Sequence, residues 1–307
     1  MKTIVSYFEA LGYSIKSVKR SIGEIEAYIH WCNKNEIQSE YVQYTDILKY
    51  IQYLQEERGL KQITISKYVL SIKHYYRYLI GEHIIEQNPI QHLEIKGVKK
   101  QAYHSIFTSE ELELLYLNFP LSNQAQNLNS NNKNIDKIHL CSRRNKAMLG
   151  FFIFQGVDSA TIKKLQIGDV DLRKGIVKLP QTRKSNARTL KLDSVQILEL
   201  MEYISIIRNE LIRQTEKYTG DLFISLGSKP DLQNVLSKLS KKLKKQDRKF
   251  TGFNQIRASR ITNWIQTENL REAQYRAGHK YLSSTEKYKV HDIESLALVI
   301  ERFHPLG

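Results

Sequence analysis

The chain has 307 residues, enough for two ordinary domains with separate cores. Its longest apolar runs, such as Met148–Phe154, are too short to span a bilayer, and Met1-Lys2 opens a mixed amphipathic stretch and not a leader. Two cysteines, Cys32 and Cys141, lack spaced partners for a metal or a disulfide framework, so a cytoplasmic protein is expected and a membrane or disulfide-scaffold protein is not. The formal net charge is +15, and residues 98–307 carry all but one unit of that excess. A polyanionic partner held mainly by the second part follows, because each neutralised phosphate releases a counterion.

The first hundred residues read as helices. Ile15, Val18, Ile22, Ile25, Ile29 and Cys32 recur at spacings of three and four, one face of a helix. A second helix is expected from Thr45 to Arg58, stopping near Gly59. A third carries Ile65, Val69, Ile72, Tyr76 and Leu79 inward and ends near Gly81. Lys67, Lys73, His74 and Arg77 lie largely off that stripe, and are read either as solvated charge or as a phosphate-contacting face. Asn88-Pro89 then breaks helix and starts an extended exit.

Residues 1–97 thus form one domain, 98–107 a linker, and 108–307 a second domain. Thr108 to Glu111 opens a helix with a capping box. Residues 120–137, rich in Asn and Ser, read as a mobile surface insertion, after which helix resumes around Arg143 and runs to Gln155. A short helical stretch after Asp158 leads to Asp169–Asp171, then to strands at Gly175–Pro180 and Arg188–Leu192. Those two are joined by a hairpin whose tip carries Arg183 and Lys184. A very basic helix covers Ser237–Lys249, and another apolar helix bearing Ile261, Trp264 and Ile265 follows Asn254-Gln-Ile-Arg257.

The chemistry concentrates in the last sixty residues. Arg257 is followed by the Gly278-His279 pair and then by Thr285-Glu-Lys-Tyr288, with nine residues from His279 to Tyr288. In this order and spacing the chain resembles the tyrosine recombinases of the phage integrase family, whose members place a His-x-x-Arg motif, a Gly-His pair and a Thr-x-x-Tyr nucleophile alike. Asn254 stands where the first histidine of that pattern falls. Lys184 matches the family's lysine-bearing hairpin. Gln155-Gly-Val-Asp158 matches the segment, commonly Thr-Gly-Leu-Arg, that carries the first catalytic arginine, so Asp158 replaces it. The first hundred residues resemble the helical core-binding domain.

The resemblance implies a mainly α fold with a small β-sheet: an N-terminal helical core-binding (SAM-like) domain and a C-terminal tyrosine-recombinase catalytic domain. It implies a site-specific recombinase or integrase of a mobile element, cutting and rejoining double-stranded DNA through a 3′-phosphotyrosine link without metal or ATP. Assembly would be a homo-tetramer on DNA or a hetero-assembly with a second recombinase. Tyr288 would be the nucleophile, Arg257 a bidentate phosphate clamp, Lys184 the general acid and His279 a hydrogen-bond donor to phosphate. Asn254 keeps a donor amide but cannot act as acid or base. Capping of a short helix by Ser283 with Glu286 would carry Tyr288 within that helix. Lys67, Lys73, His74, Arg77 and Arg183 are the expected DNA contacts.

Asp158 leaves three readings. The protein is a catalytically impaired DNA-binding regulator or silent partner, or another arginine fills the gap, or the local match is misplaced. Arg144 and Arg188 are the foremost substitutes, ahead of Arg143, Arg183 and Arg260. An apolar stripe at Ile293, Leu296, Ala297, Ile300 and Phe303 packs in cis or docks on a neighbouring subunit.

Overall fold

The computed structural model describes residues 3–97, 105–121, 133–183, 185–216, 218–226 and 232–289, with side chains from 137 in the third segment. Lys184 and the stripe from Ile293 to Phe303 therefore lie outside the described residues, as does most of the Asn-rich segment. The chain divides into two compact units, Met1–Ala102 and Tyr103–Gly307. No helix among the described residues is long and apolar enough to cross a membrane.

The first unit is helical: α1 (Ile4–Ala10), α2 (Ile15–Lys34), α3 (Tyr44–Glu56) and α4 (Gln62–Gly81). Short polar caps start two of them, with Thr3 and Ser14 accepting from the backbone N–H of Ser6 and Ser17. On α2 the buried face is rotated from the aliphatic spacing: Val18, Ile25, Tyr28, Trp31 and Cys32 are buried, whereas Ile15 is 74% exposed. The large rings decide this, since Trp31 and Tyr28 both pack on Tyr50 of α3. Tyr76 donates to the Ser39 carbonyl at 3.0 Å, which leaves its oxygen to accept from Tyr28 at 2.5 Å. A chain of buried hydroxyls thus closes the core without an orphaned donor.

Two expectations for this unit are corrected. His74 is not on a phosphate-contacting face: it is buried, with its ring nitrogens bonded to the hydroxyls of Tyr7 (3.4 Å) and Tyr13 (3.0 Å). The aromatic residues of α1 and the turn after it supply this cover, which a stripe read along α4 alone omits. Asn88-Pro89 is a turn and not an extended exit, because the Asn88 carboxamide accepts from Ile90 N–H and donates to the Lys73 carbonyl. Lys73 in turn donates to the Gln91 carbonyl, so of the four α4 residues Lys67 and Arg77 are the exposed cations.

The second unit is mainly α with a small sheet. Its helices are α5 (Ser109–Leu117), α6 (Lys133–Phe154), α7 (Ser159–Ile162), α8 (Ser194–Glu202), α9 (Arg208–Thr215), α10 (Gln233–Gln246), α11 (Phe253–Thr267), α12 (Leu270–Ala277) and α13 (Leu282–Glu286). A π-helical turn, Tyr203–Ile207, joins α8 to α9. The capping box of Thr108 and Glu111 is present at α5. Helix α6 begins ten residues before Arg143, so the last residues of the expected insertion are helical. Strands β1 (Val170–Asp171), β2 (Ile176–Leu179) and β3 (Arg188–Lys191) form an antiparallel sheet in the order β1-β2-β3. The β2–β3 register pairs Leu179 with Arg188 and Ile176 with Lys191. On β3, Arg188 and Leu190 face inward while Thr189 and Lys191 face out.

Candidate active site

The site is assembled from four places where a helix meets a turn. The first follows α6. Gly156 sits at φ +55°, where a side chain is strained, and a Cβ there would come within 3.1 Å of the Trp264 ring, so the turn favours glycine. Asp158 then caps α7, accepting from Thr161 N–H at 2.7 Å. Burial works to raise the Asp158 carboxyl, but Thr161 and the positive charges of Arg257 and Arg188 outweigh it and hold the group below the usual carboxylate range.

The second place is the first half of α11. Gln255 anchors this helix by donating to the carbonyls of Ser105 (2.7 Å) and Lys249 (2.9 Å) and accepting from Thr251 N–H. Asn254 is thereby exposed on the first turn, and Arg257 lies one turn further on. The Arg257 guanidinium bonds the carbonyls of Gly156 and Ala277 (2.8 Å) and approaches His279 Nε2 at 3.2 Å. Burial lowers its pKa, against the opposing pull of Tyr288 and Asp158.

The third place is the end of α12, where Gly278 is the left-handed cap at φ +70°. A Cβ on it would stand 2.8 Å from Cζ of Arg188, so this glycine both ends the helix and admits the Arg188 guanidinium. Arg188 is 5% exposed and donates from Nε to the Arg276 carbonyl at 2.6 Å. Burial, then the charge of Arg257, lowers its pKa to about 10. The hairpin arm leading into β3 is fastened to the same loop, since Asn186 N–H donates to the Gly278 carbonyl and Ser185 bridges to His279.

The fourth place carries Tyr288. The ring of Tyr288 stacks on His279 with 5.7 Å between centroids and 15° between planes, and Tyr288 opposes the effect of burial on the Arg257 guanidinium. The expected cap is corrected: α13 starts after Tyr281 with no side-chain cap, and Ser283 and Glu286 make no capping box. Tyr288 lies in the turn after α13, its N–H bonded to the Thr285 carbonyl at 3.0 Å. A five-residue helix starting at Leu282 already contains Ser283, which leaves that residue inside and not at the boundary.

The structure therefore brings together Arg257, His279, Tyr288, Asp158 and Arg188, all within the second unit. It does not bring Arg144 there. That guanidinium is buried against the Ile224 carbonyl (2.8 Å) and the Asn145 carboxamide, so it is corrected as a substitute. Arg143 is likewise occupied, pairing with Glu199 and Glu202. Arg183 is exposed at the hairpin tip. Sequence reasoning missed Thr285 as a partner of His279, whose Nδ1 lies 2.9 Å from the Thr285 hydroxyl. It also missed the two carbonyls on Arg257, since backbone acceptors leave no mark on residue type.

His279 is pushed down to about 4 by burial, then by the charges of Arg257 and Arg188. The folded state thus refuses a proton that the unfolded chain accepts near 6.5. Stability present above pH 6.5 is lost as pH falls toward 4, by about 2 kcal/mol between pH 7 and pH 5. His74, also lowered by burial, adds to the slope in that window. Urea midpoints at pH 7 and pH 5 for wild type and His279→Gln should therefore show a smaller acid loss in the variant; an unchanged loss would contradict the assignment.

The family model described as Phage integrase family matches residues 121–294, and Phage integrase SAM-like domain matches residues 5–97. Among curated relatives, tyrosine recombinase XerC of Pelotomaculum thermopropionicum is 24% identical, covering 83% of this chain and 79% of its own. XerC of Bacillus subtilis is also 24% identical, over 95% of this chain and 90% of its own. The fold is shared with a lambda integrase dimer bound to a COC′ core site (TM-score 0.61, 14% identity, 93% and 75% covered). It is shared as well with the Tn1549 transposon integrase in complex with circular intermediate DNA (TM-score 0.60, 15% identity, 94% and 95% covered). With the integrase model matched over residues 121–294 and the SAM-like model over residues 5–97, the chain belongs to the phage integrase family.

Proposed function

We propose that the protein is a site-specific DNA recombinase that cuts and rejoins strands through a 3′-phosphotyrosine intermediate. One observation carries this reading. Burial pushes Arg257, Arg188 and His279 toward losing or refusing protons, the charge of Arg257 adds to this at Arg188 and His279, and among the described residues Asp158 is the carboxylate that opposes it at both arginines. A site built this way lacks an anion, and it lies around a tyrosine hydroxyl. A phosphodiester supplies that charge.

In this reading Tyr288 attacks phosphorus, Arg257 and Arg188 hold the non-bridging oxygens, and Lys184 protonates the leaving 5′-oxygen. Asn254, exposed one turn before Arg257, is a further donor to the backbone. The bonds of Arg257 to Gly156, Ala277 and His279 use three of its five N–H groups, which leaves two to meet phosphate. His279 acts as a neutral ring that supports Tyr288 and Arg257. Lys67, Arg77 and Arg183 are the exposed cations assigned to flanking phosphates, whereas Lys73 donates to the Gln91 carbonyl. Assembly on DNA as a homo-tetramer or with a second recombinase belongs to the same reading.

The test is strand exchange between two duplexes of different length carrying the element's end sequences, with binding followed in parallel at two salt concentrations. Exchange without added metal or nucleotide is expected. Affinity should fall steeply with salt, because the excess charge of residues 98–307 releases counterions. Binding that ignores salt would oppose the reading.

A further inference from the structure

We propose that Thr285 is a positioning residue of the site, which fixes the tautomer and the ring plane of His279 and through them the plane of Tyr288. The inference rests on the recombinase reading for its purpose, but its structural content stands on hydrogen-bond logic alone.

Arg257 has only donors to offer. Its Nη2 lies 3.2 Å from His279 Nε2, so that nitrogen must present its lone pair. A neutral imidazole then carries its proton on Nδ1. The partner of Nδ1 is the Thr285 hydroxyl at 2.9 Å, whose oxygen accepts. Thr285 is fully buried, so no water competes for that proton. The depressed basicity of His279 agrees with a neutral ring.

The ring plane is set by the same bond. With Nδ1 held by Thr285 and Nε2 by Arg257, the imidazole is fixed at two opposite corners. Tyr288 lies parallel to it, within 15°. The same residue also fixes Tyr288 from the backbone side, since the Thr285 carbonyl accepts from Tyr288 N–H. Thr285 thus contacts the histidine through its side chain and the tyrosine through its backbone. With its proton held on Nδ1, the ring presents Nε2 to the site as an acceptor and not a donor.

The experiment compares Thr285→Val, which keeps shape but removes the acceptor, with Thr285→Ser, which keeps the hydroxyl. The imidazole nitrogen shifts of His279 are read by NMR on the full chain labelled with 15N-histidine, and cleavage is read in a single turnover on a nicked duplex. Wild type and Thr285→Ser should show the Nδ1–H form, and Thr285→Val should lose it. Cleavage by Thr285→Val should fall on the order of tenfold or more, with duplex affinity unchanged and Thr285→Ser near wild type. An Nε2–H ring in wild type would overturn the proposal. So would a Thr285→Val protein that retains the Nδ1–H form, whatever its rate, or one that loses that form and cleaves normally. If wild type does not cleave at all, the recombinase reading fails while the NMR result still decides the role of Thr285.

Discussion

Arg188→Lys should remove most of the cleavage activity while leaving duplex binding nearly intact. The guanidinium of Arg188 is threaded over Gly278, bonded to the Arg276 carbonyl, and close enough to lower His279 and to act on Asp158. A lysine keeps the charge but has no planar fork, and its ammonium cannot hold a carbonyl and a phosphate oxygen in one plane. Loss of one transition-state donor costs about 3–4 kcal/mol, or on the order of a hundredfold to a thousandfold in rate. Single-turnover cleavage of a nicked duplex, with affinity measured in parallel, checks it. A variant that cleaves at the wild-type rate would show that Arg188 is only a structural tie between β3 and α12.

Asp158→Arg should lower both stability and cleavage, although it restores the residue type that the family pattern places there. Asp158 caps α7 and is the counter-charge to Arg188 and Arg257. Its replacement removes a cap worth about 1 kcal/mol and sets a third guanidinium beside two that already repel each other. Asp158→Asn keeps the cap and removes only the charge, so the difference between the two variants separates capping from charge balance. Thermal unfolding and the same cleavage assay give the readout. Activity gained by Asp158→Arg would instead favour an impaired recombinase that works as a silent partner.

Much of this was legible in the sequence because the informative residues sit close together along the chain. The interval from Gly278-His279 to Tyr288 is short enough that one loop and one small helix fix it, and the stacking of the two rings follows. The sheet was legible for a similar reason, since a hairpin is local and its register pairs Ile176–Leu179 with Arg188–Lys191. What the sequence hid depends on distant contacts. Arg144 and Arg188 look alike as candidates, and their fates differ because one meets a carbonyl eighty residues away and the other meets a glycine ninety residues away. His74 has the polarity of a surface residue and is buried because α1 and the turn after it bring Tyr7 and Tyr13 over it. The capping of α13 failed as a sequence signal because Ser-x-x-Glu marks a boundary only where the preceding residue leaves the helix, and Leu282 does not.

Tyr288 is proposed to attack phosphate from a site rebuilt around Asp158 and Arg188. The most direct measurement is to incubate the protein with a nicked duplex that traps the covalent product, digest it, and locate the nucleotide-bearing peptide by mass. A metal-independent adduct on Tyr288 is expected, absent in Tyr288→Phe although that variant still binds the duplex. An adduct on another residue, or its persistence in Tyr288→Phe, would contradict it, as would DNA binding by wild type with no adduct at all.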